Sequence, residues 1–389
     1  MRAKKELRIG IIGTGIIAHS HVEAYQDLPR VKIVAACDLD EGKLSRFCEQ
    51  YNIEHKYMNF RELLERDDLD GIDVCVHNNL HMPISIEVLR AGFHCYCEKP
   101  MAGSYADARK MLDVATECEK KLHIQLATLY TPQAHAAKKF IDENRLGKIY
   151  HARSYGYRRR GRPFVDGYAT KEFNAKYWAG GGALYDMGVY HISLLLYLLG
   201  IPKVERISGQ VYQELPMDEE RRLEGGFDVE ELGCGFVKFE NNITMDILES
   251  WAIHSGKFPP SMLAGTLGGL TIYSTGRDNG SPLIYHHEEL GFPADTEIDV
   301  NAEIYRTRQK DPELSRYDGT QSLWIAALRN ECELLDTAEI ALNTMLISEG
   351  IFMSGTLGRE VTRDEIISAS KCQAILKQET PFGTLTYNI

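Results

Sequence analysis

The run Leu7-Arg-Ile-Gly-Ile-Ile12, followed at once by Gly13-Thr-Gly15-Ile16-Ile17-Ala18, limits the fold of this chain more than any other stretch. Leu7 to Ile12 reads as a short apolar strand, and Ile16 to Leu28 has helical spacing, so a GxGxxA pattern falls at a strand-to-helix turn. In such a turn Gly13 makes the tight bend, Gly15 leaves the backbone open to a pyrophosphate, and Ala18 lets the helix lie close. The first amides of the helix, including those of Ile16 and Ile17, have no intrahelical partner and form an anion seat. A second apolar run, VKIVAAC, ends at Asp38, where an acidic group about 20 residues past the fingerprint holds a ribose 2′-hydroxyl. A carboxylate there repels a 2′-phosphate and no Arg follows it directly, so NAD is expected rather than NADP. Capping of the next helix is a simpler role open to Asp38, and equally to Asp40.

A chain of 389 residues is too long for one ordinary core. Between Leu7 and Ala127, strands are expected at LRIGII, VKIVAAC, GIDVCV, FHCYC and HIQLA. Helices alternate with them at Ile16 to Leu28, Pro83 to Ala91 and Tyr105 to Cys118, with Gly92 closing one and Ser104 opening another. Past Tyr130 the texture changes. A helix at Ala134 to Glu143 leads to a strand at Lys148 to Tyr157, then to VERISGQVYQ, LGCGFVKFE, NITMDILESWAI and GLTIYS, with helices at Gly182 to Leu199 and Thr337 to Leu357. The expected fold is α/β: a Rossmann, doubly wound parallel sheet over residues 1–130, then an α+β domain over 131–389 with a large open, mainly antiparallel sheet. A sheet clad with helices on one side hides its other face most simply by self-association, so a homodimer or homotetramer is expected.

The formal net charge of −12 argues against nucleic acid or an anionic membrane as the main partner. Nine cysteines, with Cys37, Cys75, Cys95 and Cys97 inside apolar runs and no CxxC pair, read as reduced thiols. Arg2, Lys4 and Lys5 precede an apolar run only a strand long, and Ile192 to Leu199 is less than half a membrane span, so a cytoplasmic protein is expected. His286, His287 and the scattered histidines lack carboxylate or Cys partners at ligand spacing, and no metal is expected.

Three further patterns carry a resemblance: His77-Asn78-Asn79-Leu80-His81, Glu98-Lys99-Pro100, and Gly180-Gly-Gly-Ala-Leu-Tyr-Asp186-Met-Gly188-Val-Tyr190-His191. With them the chain resembles, over nearly its whole length, the Gfo/Idh/MocA family of sugar and inositol dehydrogenases. The resemblance implies an open C-terminal sheet and an active site between the domains. It assigns His77, Asn78, Asn79, His81, Glu98 and Lys99 to the cofactor. It also makes Lys99 the group that touches the reacting hydroxyl and the ribose, in a Lys-Pro bond that is often cis. Asp186 and Tyr190 are four apart and share a face if the helix is regular. In many relatives the position four after the Asp is a His acting as acid and base; the branch resembling glucose-fructose oxidoreductase has Tyr there. Tyr190 is thus the expected proton carrier, with His191 the alternative if the helix is irregular, and core packing a rival role for both. A free Tyr titrates near 10, so the Lys99 ammonium would have to favour its phenolate.

The dense basic run Tyr157-Arg158-Arg159-Arg160-Gly161-Arg162-Pro163 follows a strand and either reaches substrate oxygens, through Tyr157, Arg158 or Arg160, or faces solvent or a second subunit. Phe164, Asp166, Tyr168 and Trp178 lie in a loop rich in groups that stack on or hydrogen-bond to sugars, where substrate choice is expected. The expected activity is NAD-dependent transfer of hydride from a sugar or glycoside hydroxyl, at C3 by family analogy alone. Two other readings stay open: a glycosidase that recycles bound NAD, and a non-catalytic dinucleotide-binding sensor, against which Lys99 and Asp186 count.

Overall fold

A computed structural model of the chain describes residues 6–256, 260–273, 283–300 and 319–389; Arg2, Lys4 and Lys5 lie outside them. The described chain divides into two compact units. Residues 6–125, 319–339 and 372–389 form the first, and 126–300 with 340–371 form the second.

The first unit is built on a six-stranded sheet in the order β3-β2-β1-β4-β5-β6. Its strands are β1 (Leu7–Ile12), β2 (Val31–Cys37), β3 (His55–Tyr57), β4 (Gly71–Val74), β5 (His94–Cys97) and β6 (Leu122–Ile124), all paired in parallel. Helices α1 (Ile16–Gln26), α2 (Glu41–Tyr51), α3 (Phe60–Leu64), α4 (Asn78–Arg90) and α5 (Tyr105–Glu117) connect them. Strands buried on both faces read as continuous apolar runs, and Ile9 and Ile11 are fully buried. Trp324 and Ile325, from the helix Thr320–Leu328, pack into the same core. The edge strand β3, the tripeptide HKY, is too short and polar to be read from periodicity.

Helix α4 starts at Asn78, five residues before the start expected from Pro83, which lies inside it. Proline cannot donate to the carbonyl four residues back, that of Asn79. The Ile375 N–H takes that acceptor instead, at 2.9 Å. The returning 372–389 segment thus completes a helix it does not belong to, and its hairpin β16 (Lys377–Thr380) with β17 (Gly383–Thr386) lies beyond. Arg61 and Arg90 donate to the carbonyls of Thr386 and Asn388.

The second unit carries a nine-stranded sheet, β14-β13-β12-β11-β7-β10-β9-β8-β15. Its strands are β7 (Ile149–Tyr157), β8 (Val204–Tyr212), β9 (Leu232–Phe239), β10 (Thr244–Ser250), β11 (Ser261–Gly265), β12 (Gly269–Ile272), β13 (Leu283–Glu289), β14 (Phe292–Ile298) and β15 (Val361–Thr362). The β7–β10 pair is parallel and the other pairs are antiparallel. Ile207, Val237 and Met245 stand side by side on the face that helices cover, each fully buried. On the opposite face the cross-strand neighbours are Ser208, Phe236, Asp246 and Arg153, with Phe236 39 % exposed.

Helices of this unit include α6 (Pro132–Asp142), α7 (Lys176–Ala179), α8 (Ala183–Asp186) and α9 (Gly188–Leu199). The single helix expected over 182–199 is broken: the 176–186 stretch and α9 meet at 53°. The helix Thr337–Leu357 is long and apolar enough in composition to cross a membrane, yet most of it is buried within the chain.

Candidate active site

In the first unit the glycine turn is built as its residues demand. Gly13 has φ +94°, and a Cβ there would lie 2.2 Å from the Cys75 carbonyl oxygen, so no other residue fits. Gly15 faces open space and caps α1 without any side-chain hydrogen bond, which leaves the first amides of α1 to an anion. Ile16 and Ile17 are 71 % and 40 % exposed at this helix start, apolar surface of a kind that a bound ligand covers. Ala18 is fully buried against the sheet.

The two acidic residues after β2 divide their roles. Asp40 caps α2 by accepting the Lys43 N–H at 2.9 Å. Asp38 accepts the N–H and hydroxyl of Thr14 on one oxygen, at 2.8 and 2.9 Å, and the Asp40 N–H on the other. It therefore ties the glycine turn to the end of β2. These residues fit a dinucleotide: an open turn, a free helix start and a carboxylate beside them.

Glu98, Lys99 and Pro100 leave the end of β5, with a cis Lys99–Pro100 bond. His81 is fully buried, its Nδ1 at 2.7 Å from the Pro100 carbonyl and its Nε2 at 3.0 Å from that of Val76. It clasps the turn from within the core, with both ring nitrogens facing backbone carbonyls. Asn79 (2 % exposed) also turns inward, whereas His77 and Asn78 are half-buried.

Beneath this turn His21 of α1 bridges two carboxylates, Nδ1 to Asp73 and Nε2 to Glu98, both at 2.9 Å. Both ring nitrogens then carry protons, so the ring is an imidazolium in the core. Burial disfavours that charge, but Asp73 outweighs it and holds the pKa well above the ordinary value. Glu98, although buried, is held below the usual carboxylate range by the His21 hydrogen bond, and its other oxygen accepts the Lys99 N–H at 2.9 Å. Cys75 joins the cluster at 3.3 Å from His21. No histidine has carboxylate or Cys partners at ligand spacing in the sequence, yet in space the ligand atoms of His21, Asp73 and Cys75 lie within 4.8 Å of one another. Their partners come from 52 and 54 residues away, beyond the reach of any spacing rule.

In the second unit the Gly180–Gly182 segment leads into α8, whose start is held by Glu230: its carboxylate accepts the N–H groups of Gly182 and Leu184 at 2.7 and 2.9 Å. Burial pushes Glu230 up to about 7. Asp186 closes α8 and accepts the indole N–H of the fully buried Trp251 at 2.9 Å. His191, 7 % exposed, donates Nδ1–H to Glu249 at 2.9 Å, and Ser154 donates to the same carboxylate at 3.1 Å. Burial lowers the His191 pKa, and the Glu249 charge more than reverses it. Tyr190 is half-buried, and its carbonyl accepts the Thr128 hydroxyl at 2.9 Å. The 53° bend between the 176–186 stretch and α9 falls between Asp186 and Tyr190, so the regular helix on which their four-residue spacing relied is interrupted there.

The basic run splits three ways. Arg158 lies over the Tyr168 ring, 5.0 Å from its centroid, and bonds its hydroxyl; Arg160 is exposed near Asp166; and Arg162 is fully buried against Asp166, Glu231 and the carbonyls of Leu215 and Pro216. Tyr157 is half-buried at the end of β7, and Trp178 stacks edge-on against Tyr177. Glu230, Glu249, Trp251 and His21 were not foreseen. Glu249 left one signal: it falls at core parity in a strand, two residues from the buried Ile247, where a charge needs a partner.

Residues 7–126 match the family described as "Oxidoreductase family, NAD-binding Rossmann fold", and residues 134–271 match the "GFO/IDH/MocA C-terminal domain". D-glucoside 3-dehydrogenase of Escherichia coli is 27 % identical over 254 residues, covering 64 % of this chain and 71 % of that protein. Levoglucosan dehydrogenase of Pseudarthrobacter phenanthrenivorans is 25 % identical over 214 residues, 50 % of this chain and about half (52 %) of that protein. The solved structure of a levoglucosan dehydrogenase in complex with NADH and levoglucosan superposes with a TM-score of 0.78 at 18 % identity, covering 92 % of this chain and 99 % of the other. At that identity the likeness is one of fold.

Proposed function

Because the chain belongs to the GFO/IDH/MocA oxidoreductase family, with an NAD-binding first domain, we propose that it oxidises a hydroxyl of a sugar or glycoside, possessing the ring-hydroxyl chemistry of its glucoside and levoglucosan relatives. The observation that carries this reading is the retention, in built surroundings, of Lys99 on the His21–Glu98 support and of Asp186 on Trp251. Glycine turn residues Gly13 and Gly15, the first turn of α1 and Asp38 would hold the dinucleotide. NAD, when bound, accepts hydride from the carbinol carbon.

The chain's own groups do the rest. The Lys99 ammonium favours the developing alkoxide, Asp186 accepts a hydrogen bond from a substrate hydroxyl, and the hydroxyl proton passes to one of two neighbours on α9, Tyr190 or His191. Tyr168, Arg158 and Trp178 line the loop to which we assign sugar choice. We place the protein in the cytoplasm, a reading supported by nine free cysteines, and assign its helix-free sheet face to homo-oligomer contacts.

The test is NADH formation across inositols, free aldoses, and O- and C-glycosides, repeated with NADP. One carbohydrate class should yield NADH with NAD and much less product with NADP. Lys99→Ala should then lower turnover by about 100-fold or more while dinucleotide still binds. Cleavage of a glycosidic bond without net NADH identifies cofactor recycling instead, and tight binding without any turnover identifies a sensor.

A further inference from the structure

Glu249 stands between two glycines, opposite Gly156 of β7 and Gly233 of β9. Both must be glycine on this face. A Cβ at Gly156 would lie 2.1 Å from Cε1 of His191 and 2.3 Å from Glu249, and one at Gly233 would lie 2.4 Å from the Leu184 side chain. The space so left receives the break between α8 and α9, where Gly188 comes close above Glu249. Burying a carboxylate here costs several kcal/mol unless it is paired, and an apolar residue of equal size would pack with no such penalty. Its partner is His191. Two residues on, at the position of the same parity, Trp251 is fully buried and bonds Asp186. One strand end thus grips, with alternate side chains, the two polar groups that flank the helix break.

We propose that Glu249 and Trp251 are positioning residues: Glu249 holds His191 with Nε2 turned to the substrate, making His191 rather than Tyr190 the proton carrier, and Trp251 orients Asp186. Nε2 of His191 makes no hydrogen bond to a described residue, whereas Nδ1 is committed to the carboxylate. This is the arrangement of a general base whose tautomer is set from behind. With the dinucleotide bound to take the hydride from the carbinol C–H, the O–H proton would go to Nε2 and a carbonyl would be left. The proton stays on the imidazole, and Glu249 balances its charge. The proposal rests on the dehydrogenase reading above.

Glu249 is the charged group acting on His191 among the described residues; β7 faces it with Ser154 and Gly156, which do not titrate. A base must be neutral to act, so kcat/KM rises with pH through the His191 pKa. Removing the Glu249 charge moves that limb to lower pH and lowers its plateau.

The experiment compares Glu249→Gln, Glu249→Asp, His191→Asn, Tyr190→Phe and Trp251→Phe on the best carbohydrate of the screen. Glu249→Gln and His191→Asn should lose about 10²–10⁴-fold in kcat with NAD affinity unchanged. Glu249→Asp should restore part of that loss, Trp251→Phe should raise KM more than it lowers kcat, and Tyr190→Phe should lose clearly less kcat than His191→Asn. Collapse in Tyr190→Phe with near-normal His191→Asn overturns the proposal, as does an unmoved pH limb in Glu249→Gln. If the parent binds NAD yet oxidises no carbohydrate, the dehydrogenase reading has failed. NMR titration of the His191 ring then tests the support alone: a lower pKa in Glu249→Gln upholds it, and an unchanged one overturns it.

Discussion

His21 keeps a charge in the core because two carboxylates bracket it, and that charge makes stability depend on pH. Its folded pKa is raised, so the stability it contributes is complete below the unfolded value, near 6.5, and is lost as pH climbs through the folded one. Thermal unfolding between pH 6 and 10 should therefore show the parent losing stability with rising pH more steeply than His21→Gln, which starts lower; parallel curves would show the ring to be neutral. At this scale local rules read well and remote ones do not. Gly13, Gly15 and Asp38 were legible because turn, helix start and strand end are close in sequence. His21 was not, since Asp73 and Glu98 reach it only through strand order, and the contacts of His81 to the Pro100 and Val76 carbonyls carry no spacing signal either.

The α8–α9 break shows what periodicity misses between elements. Both halves have helical spacing, so the sequence suggests one helix, but the turn is bent by what lies beneath it, the Gly156–Glu249–Gly233 row. Gly156→Ala should push His191 and Glu249 apart, costing about 1–3 kcal/mol of stability and most of the activity; calorimetry with steady-state kinetics checks both, and an unchanged melting temperature would show that the row has slack. The mainly antiparallel character of the second sheet and the strands β7, β8, β9, β10 and β12 were readable from alternation, whereas β11, β13, β14 and β15 were not. The start of α4 was not, because the carbonyl orphaned by Pro83 is satisfied by Ile375, nearly three hundred residues on.

The nine-stranded sheet presents on its helix-free face a row of Phe236, Arg153 and Asp246, the last two joined at 2.9 Å, with Tyr212 41 % exposed nearby. Aromatic and Arg side chains are the types that interfaces favour. If the chain self-associates through this face, as proposed above, Phe236→Glu with Tyr212→Glu should reduce the mass in light scattering to that of one chain, and an unaltered mass would overturn that assignment. A boundary at residue 130 was expected; the leading segment of the first unit ends at 125, and residues 319–339 and 372–389, expected in the second domain, group with the first unit, since periodicity reports neighbours and not returns. Those returns matter during synthesis. Trp324 and Ile325 complete the core of the first sheet, and residues past 372 seal α4, so the dinucleotide unit must wait on the ribosome while the whole second unit emerges. A nascent chain paused before that point would still lack Trp324 and Ile325, two of the residues that close the apolar core around the first sheet.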